Sequence, residues 1–105
     1  MNLRRLTPSM SLLLAFESAA RHQSYTRAAA ELSLTQSAVS RQVQALEAFL
    51  GITLFQREGR NVVLTDVGRL YADTLSDALA SIRNATLQAI DLSLIHISEP
   101  TRQEA

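Results

Sequence analysis

The stretch from Leu34 to Gly51, Leu-Thr-Gln-Ser-Ala-Val-Ser-Arg-Gln-Val-Gln-Ala-Leu-Glu-Ala-Phe-Leu-Gly, constrains this chain most, because it carries a start signal, a stop signal and two distinct faces. Thr35 is placed to cap a helix by accepting a bond from a first-turn amide, and Leu34 to staple onto Val39. Gly51 ends the helix in the left-handed conformation that a Cβ disfavours. Between the caps Val39, Val43, Leu46 and Leu50 recur at spacings of four, three and four, so they line one face and predict that it packs inward. The opposite face carries Gln36, Ser37, Ser40, Arg41 and Gln44, side chains able to bond base edges and phosphates in a DNA groove. A solvated surface has the same composition, so the flanking chain must decide between the two.

Upstream, Thr7-Pro8 reads as an N-cap with proline in the first helical position, opening a helix to about Arg21. Leu13, Phe16 and Ala20 form its inward stripe, widened by Leu12 and Ala19, and His22 favours the helix dipole at its end. Either Ser24 or Thr26 caps a short second helix, roughly Thr26 to Ser33, that turns Ala28, Ala29 and Leu32 inward and Arg27 outward. Only Ser-Leu-Thr separates it from the third helix, and so tight a connection makes a helix-turn-helix. In that motif the second of the two helices enters the major groove with its N-terminal residues leading, here Gln36, Ser37 and Ser40. Ile52 to Arg57 and Val62 to Thr65 then flank the turn-forming Glu58-Gly59-Arg60-Asn61, which predicts a small hairpin, or wing. Arg57 and Arg60 at its tip and edge would reach sugar-phosphate or the minor groove, or else serve as solubilising charge; Glu58 between them opposes phosphate.

Thr65 or Asp66 opens the longest helix, expected to run to about Asp91, on the order of 38 Å at 1.5 Å per residue. Tyr71, Leu75, Ala78, Ile82, Ala85 and Ala89 recur in heptad rhythm, a seam longer than a small domain can bury, which points to a homodimer. Asp73 and Asp77 lie one turn apart on its polar side and read as a solvated face. From Leu92 to Ser98 the pattern alternates with period two, and Glu99-Pro100 forbids a continuing helix. Letter for letter, Leu92 to Arg102 resembles the translation of a sequencing-library transposon adaptor, so residues 92–105 are expected to be a non-native tail.

The 105 residues allow one small core, and the absence of cysteine excludes disulfides and thiolate chemistry. No apolar run approaches a membrane span, which leads to the expectation of a cytoplasmic protein. The net charge of zero hides a gradient: residues 1–69 hold eight arginines against five acids, and residues 70–105 two against five. The basic half therefore contains the candidate reading helix, as binding to phosphate requires. No phosphate loop, nucleophile-base pair or metal-ligand cluster is present, so neither catalysis nor a cofactor is expected.

These features predict a mainly α fold: a winged helix-turn-helix of three helices and a small β-hairpin over residues 1–65, then a long linker and dimerisation helix over 66–91. From about Leu6 to Asp91 the chain resembles the N-terminal DNA-binding domain of LysR-type transcriptional regulators. The resemblance rests on Phe16 with Ala19-Ala20, Ser24-Tyr25-Thr26-Arg27-Ala28-Ala29, Leu32, Thr35-Gln36-Ser37-Ala38-Val39-Ser40-Arg41-Gln42, Leu46-Glu47, Leu50-Gly51, Leu54-Phe55, Arg57, Arg60 and Leu64-Thr65 with Gly68. Leu-Leu-Ala-Phe-Glu-Ser-Ala-Ala-Arg-His looks closest to the branch containing the glycine-cleavage activator. The resemblance implies double-stranded DNA as partner, pairing through the linker helix, and a small-molecule effector bound by a C-terminal domain missing here. It places Gln36, Ser37, Ala38, Ser40 and Arg41 on base- and phosphate-contacting positions and Arg57 and Arg60 on the wing. Tyr25 replaces the family's usual phenylalanine and needs a partner for its hydroxyl. The competing reading is a protein-interaction module on a helix-turn-helix scaffold, which fold alone does not separate from a DNA reader.

Overall fold

Capping side chains set most of the helix boundaries in the computed structural model, which describes residues 2–59 and 61–98, with side chains to residue 94. A single turn, α1 (Leu3–Leu6), starts where the Asn2 side chain accepts from the Arg4 amide; Thr7 closes it by donating its hydroxyl to the Leu3 carbonyl at 2.7 Å. Thr7 is thereby occupied, and the Thr7-Pro8 start expected for the next helix is not used. Instead α2 (Met10–His22) begins after Ser9, with Pro8 buried ahead of it, and ends at Gln23 in the left-handed region. For α3 (Tyr25–Leu32), Ser24 rather than Thr26 is the cap, accepting from the Arg27 amide at 3.0 Å. Thr35 caps α4 (Gln36–Leu50) by accepting from the Ala38 amide at 3.1 Å, and Gly51 ends it at φ 70°, as its sequence predicts.

α2 packs on α3 and α4, and α3 on α4. Ala15, Phe16, Ala28, Val39, Val43, Leu46 and Leu54 are wholly inaccessible to solvent, and the alanines among them let the helix backbones approach closely. Leu50, expected on the inward face, is only half-buried because it lies in the last turn beside the exposed Gly51.

A polar clamp reinforces the α2–α3 pair. Arg21 donates to the buried Glu17 one turn back at 2.9 Å and to Glu31 on α3 at 2.7 Å, while Ser18 donates to the same Glu31 oxygen. Hydrogen bonds from Arg21 and then Ser18 hold the Glu31 carboxyl at about 2, well below the usual carboxylate range, so it stays ionised at ordinary pH. His22, expected only to favour the helix dipole, also lies 3.2 Å from Glu31.

The wing is shorter than its apolar runs suggested. β1 (Phe55–Glu58) pairs antiparallel with β2 (Asn61–Leu64), Phe55 opposite Leu64 and Glu58 opposite Asn61, around Gly59 at φ 66°. Ile52 cannot join β1 because its amide donates back to the Glu47 carbonyl, closing the end of α4. Arg60, predicted for the wing, lies outside the described residues.

Thr65, not Asp66, starts α5 (Asp66–Ser98): its hydroxyl accepts from the Gly68 amide at 3.0 Å and sits 2.8 Å from the Thr53 carbonyl. α5 continues through Leu92–Ser98, so the expected end near Asp91 and the period-two reading of that stretch are corrected. Those residues hold no proline or glycine, and a helix already nucleated propagates at little cost until one intervenes. Pro100 lies outside the described residues.

The expected seam on α5 divides. Tyr71 is half-buried, its ring centroid 5.6 Å from that of Phe16, and Leu75 is buried, whereas Ala78, Ile82, Ala85 and Ala89 are exposed. Ala72 is buried with Leu75, so the first turns of α5 complete the domain's own core rather than awaiting a second copy. The chain separates into two compact units, Met1–Leu75 and Ser76–Ala105. No helix of the described residues is long and apolar enough to cross a membrane.

Candidate nucleic-acid interface

Because Val39, Val43 and Leu46 are pulled into the core, the rest of α4 must turn outward, and its first two turns follow the tight Ser33-Leu34-Thr35 connection from α3. Thr35, Gln36, Ser37, Arg41 and Gln44 are exposed; Ala38 and Ser40 are half-buried. Arg27 is exposed on the first turn of α3 and Arg57 on β1. None of Arg27, Arg41 and Arg57 forms an ion pair among the described residues, so their guanidiniums are available to an external anion.

The wing brings Arg57 up against this face. An open cleft of about 480 Å³ is lined by Tyr25, Thr35, Gln36, Ser37, Ser40 and Arg57. A second hollow continues along the start of α3 and β2, lined by residues that include Ser24, Tyr25, Gln36, Arg57 and Asn61. A third extends to Gln44 and Glu47. The structure thus gathers Thr35, Gln36, Ser37, Ser40, Gln44 and Arg57; Ala38, Arg27 and Arg41 lie outside these clefts. Among the described residues no cluster of His, Asp or Glu could hold a metal ion.

Two residues absent from the expected site organise it. Glu47 Oε2 accepts from the Leu54 amide at 2.8 Å and the Phe55 amide at 3.1 Å, fixing the start of β1 to α4 and so setting where Arg57 lies. The signal in the sequence was an acid beside Leu46 on the inward edge of α4, which becomes meaningful only once a free backbone edge is known to lie opposite. Tyr25 is the other, lining all three clefts with Arg57. Burial, with Glu47 adding and Arg57 opposing, pushes its phenol above the usual range, so it remains a protonated donor near neutrality.

The model of the bacterial regulatory helix-turn-helix proteins of the lysR family matches residues 10–69. The glycine cleavage system transcriptional activator homolog of Haemophilus influenzae is 43% identical over 96 residues, covering 89% of this chain and 32% of that protein. The glycine cleavage system transcriptional activator of Escherichia coli K12 is 44% identical over 79 residues, covering 75% of this chain and 26% of its own length. The chain thus spans a third or less of these relatives. Among solved structures, the complex of the BenM DNA-binding domain with benA site 1 DNA aligns at a TM-score of 0.71 and 30% identity, covering 89% of this chain and 97% of that one. The CbnR DNA-binding domain bound to DNA aligns at 0.71 and 27% identity, covering 82% of this chain and 99% of the other.

Proposed function

This chain belongs to the LysR family of bacterial regulatory helix-turn-helix proteins, and from that premise we propose that it is the DNA-binding part of a dimeric cytoplasmic transcriptional regulator. In this reading α4 enters the major groove of double-stranded DNA and the wing meets the neighbouring backbone. The observation that carries it is the single cleft in which Gln36, Ser37 and Ser40 stand with the unpaired Arg57. That is the combination a reader needs, a neutral amide and hydroxyls for base edges and a cation for phosphate. The DNA-bound BenM and CbnR domains, alike in fold, support it. Gln36, Ser40, Arg41 and Gln44 then read bases, and Arg27 and Arg57 hold phosphates, with Thr35, Ser37 and Ala38 at the groove entrance.

The test compares two variants on a duplex selected in vitro and on random DNA. Gln36→Ala should cost roughly 1–3 kcal/mol on the selected duplex and leave random binding nearly intact. Arg57→Ala should weaken both and flatten log K against log salt by about 0.9. Equal losses from Gln36→Ala on the two duplexes would remove it from base reading.

For pairing we propose that the exposed Ala78, Ile82, Ala85 and Ala89 of α5 meet their counterparts in a second copy, since they remain apolar and uncovered, Ile82 with 47% of its surface accessible. Ile82→Asp should shift sedimentation toward the monomer and weaken binding to paired half-sites more than to one. A wild-type monomer at high concentration would refute the pairing.

A further inference from the structure

Tyr25 is the first residue of α3 and meets the wing through its ring, edge-on to Phe55 with centroids 5.8 Å apart and planes at 87°. That contact fixes the ring without engaging the hydroxyl, which makes no hydrogen bond to any described residue although Tyr25 is half-buried. A phenol drawn partly out of water without a partner is costly, and tyrosines in such places usually find one. The phenol feels the charges of both Glu47 and Arg57, which line the same cleft as Tyr25. No hydrogen bond joins it to Glu47, which acts on the phenol only through its charge and whose Oε2 accepts from the Leu54 and Phe55 amides.

We propose that the Tyr25 hydroxyl is a phosphate-contacting group, donating a hydrogen bond to a DNA backbone oxygen seated between α3, the start of α4 and Arg57. The inference rests on the DNA-binding reading above and adds a neutral contact to it. A phosphodiester suits the two groups together: one oxygen accepts from the phenol while the negative charge answers the guanidinium beside it. A base edge would satisfy the hydroxyl and leave Arg57 without a counter-charge.

Tyr25→Phe removes the oxygen alone and keeps the ring against Phe55. With the 105-residue chain, binding to a labelled random duplex and to a duplex selected in vitro should weaken about tenfold on both, the order expected for one net hydrogen bond of about 1.4 kcal/mol. The slope of log K against log salt should stay at the wild-type value, because a neutral phenol displaces no counterion, whereas Arg57→Ala flattens it. Melting temperature should not change. Unchanged affinity would overturn the inference while leaving the functional reading standing. So would a loss confined to the selected duplex, which would assign the hydroxyl to a base edge, or a lower melting temperature, which would place its partner within the protein. A wild-type chain that binds neither duplex would overturn the functional reading and this inference with it.

Discussion

Phe16→Ala should lower the free energy of unfolding by about 3–5 kcal/mol, a large share of the roughly 5–15 kcal/mol that holds a small domain folded. Phe16 is wholly inaccessible to solvent and stands at the centre of an aromatic relay. Its ring lies 5.5 Å from that of Phe55 on the wing and 5.6 Å from that of Tyr71 on α5, and Phe55 in turn holds Tyr25 on α3. Truncation opens a cavity where α2, the wing and the first turns of α5 meet, and three rigid elements cannot all close on it. Urea denaturation is the direct measurement. A loss below about 1.5 kcal/mol would show that the site collapses easily and that the relay is not central. At temperatures where the variant remains folded, DNA affinity should also fall, because Phe55 and Arg57 share β1.

Gly68→Ala sets two effects of opposite sign against each other. Position 68 lies inside α5, where alanine is the better helix former by about 1 kcal/mol, so propensity alone predicts a more stable protein. The contact predicts the reverse. A β-carbon at Gly68 would overlap the Leu54 carbonyl oxygen and come within 3.1 Å of its carbonyl carbon. Leu54 cannot retreat: its carbonyl accepts from the Thr65 amide at 2.9 Å, its amide donates to Glu47, and its side chain is wholly buried. Overpacking of backbone against backbone should win, with a net loss of about 2 kcal/mol and a melting temperature lower by roughly 8 °C or more. A variant that melts above the wild type would mean that α5 and the β1 approach move apart freely.

The reading helix was legible because its determinants are local. Thr35 and Gly51 cap it through bonds within one turn, and the four-three-four spacing of Val39, Val43, Leu46 and Leu50 reports its own periodicity. The same holds for the short turn that makes the helix-turn-helix and for the two inward alanines of α3. Where two local readings competed, longer-range bonds chose. Thr65 was preferred to Asp66 because its hydroxyl reaches the Thr53 carbonyl as well as the Gly68 amide.

By itself the sequence determined the winged helix-turn-helix, the outward set led by Gln36 and Ser37, and the family, since each follows from neighbours a few residues apart. Only the tertiary structure decided which side chains meet. It took Tyr71 and Leu75 for the domain's own core, because three short helices and a hairpin leave an apolar opening that the first turns of α5 are the nearest surface to fill. It also bound Glu47 to β1 and set Tyr25 beside Arg57. Tyr25 and Arg57, 32 positions apart, come together through packing, and no periodicity within one helix encodes the register of another element against it.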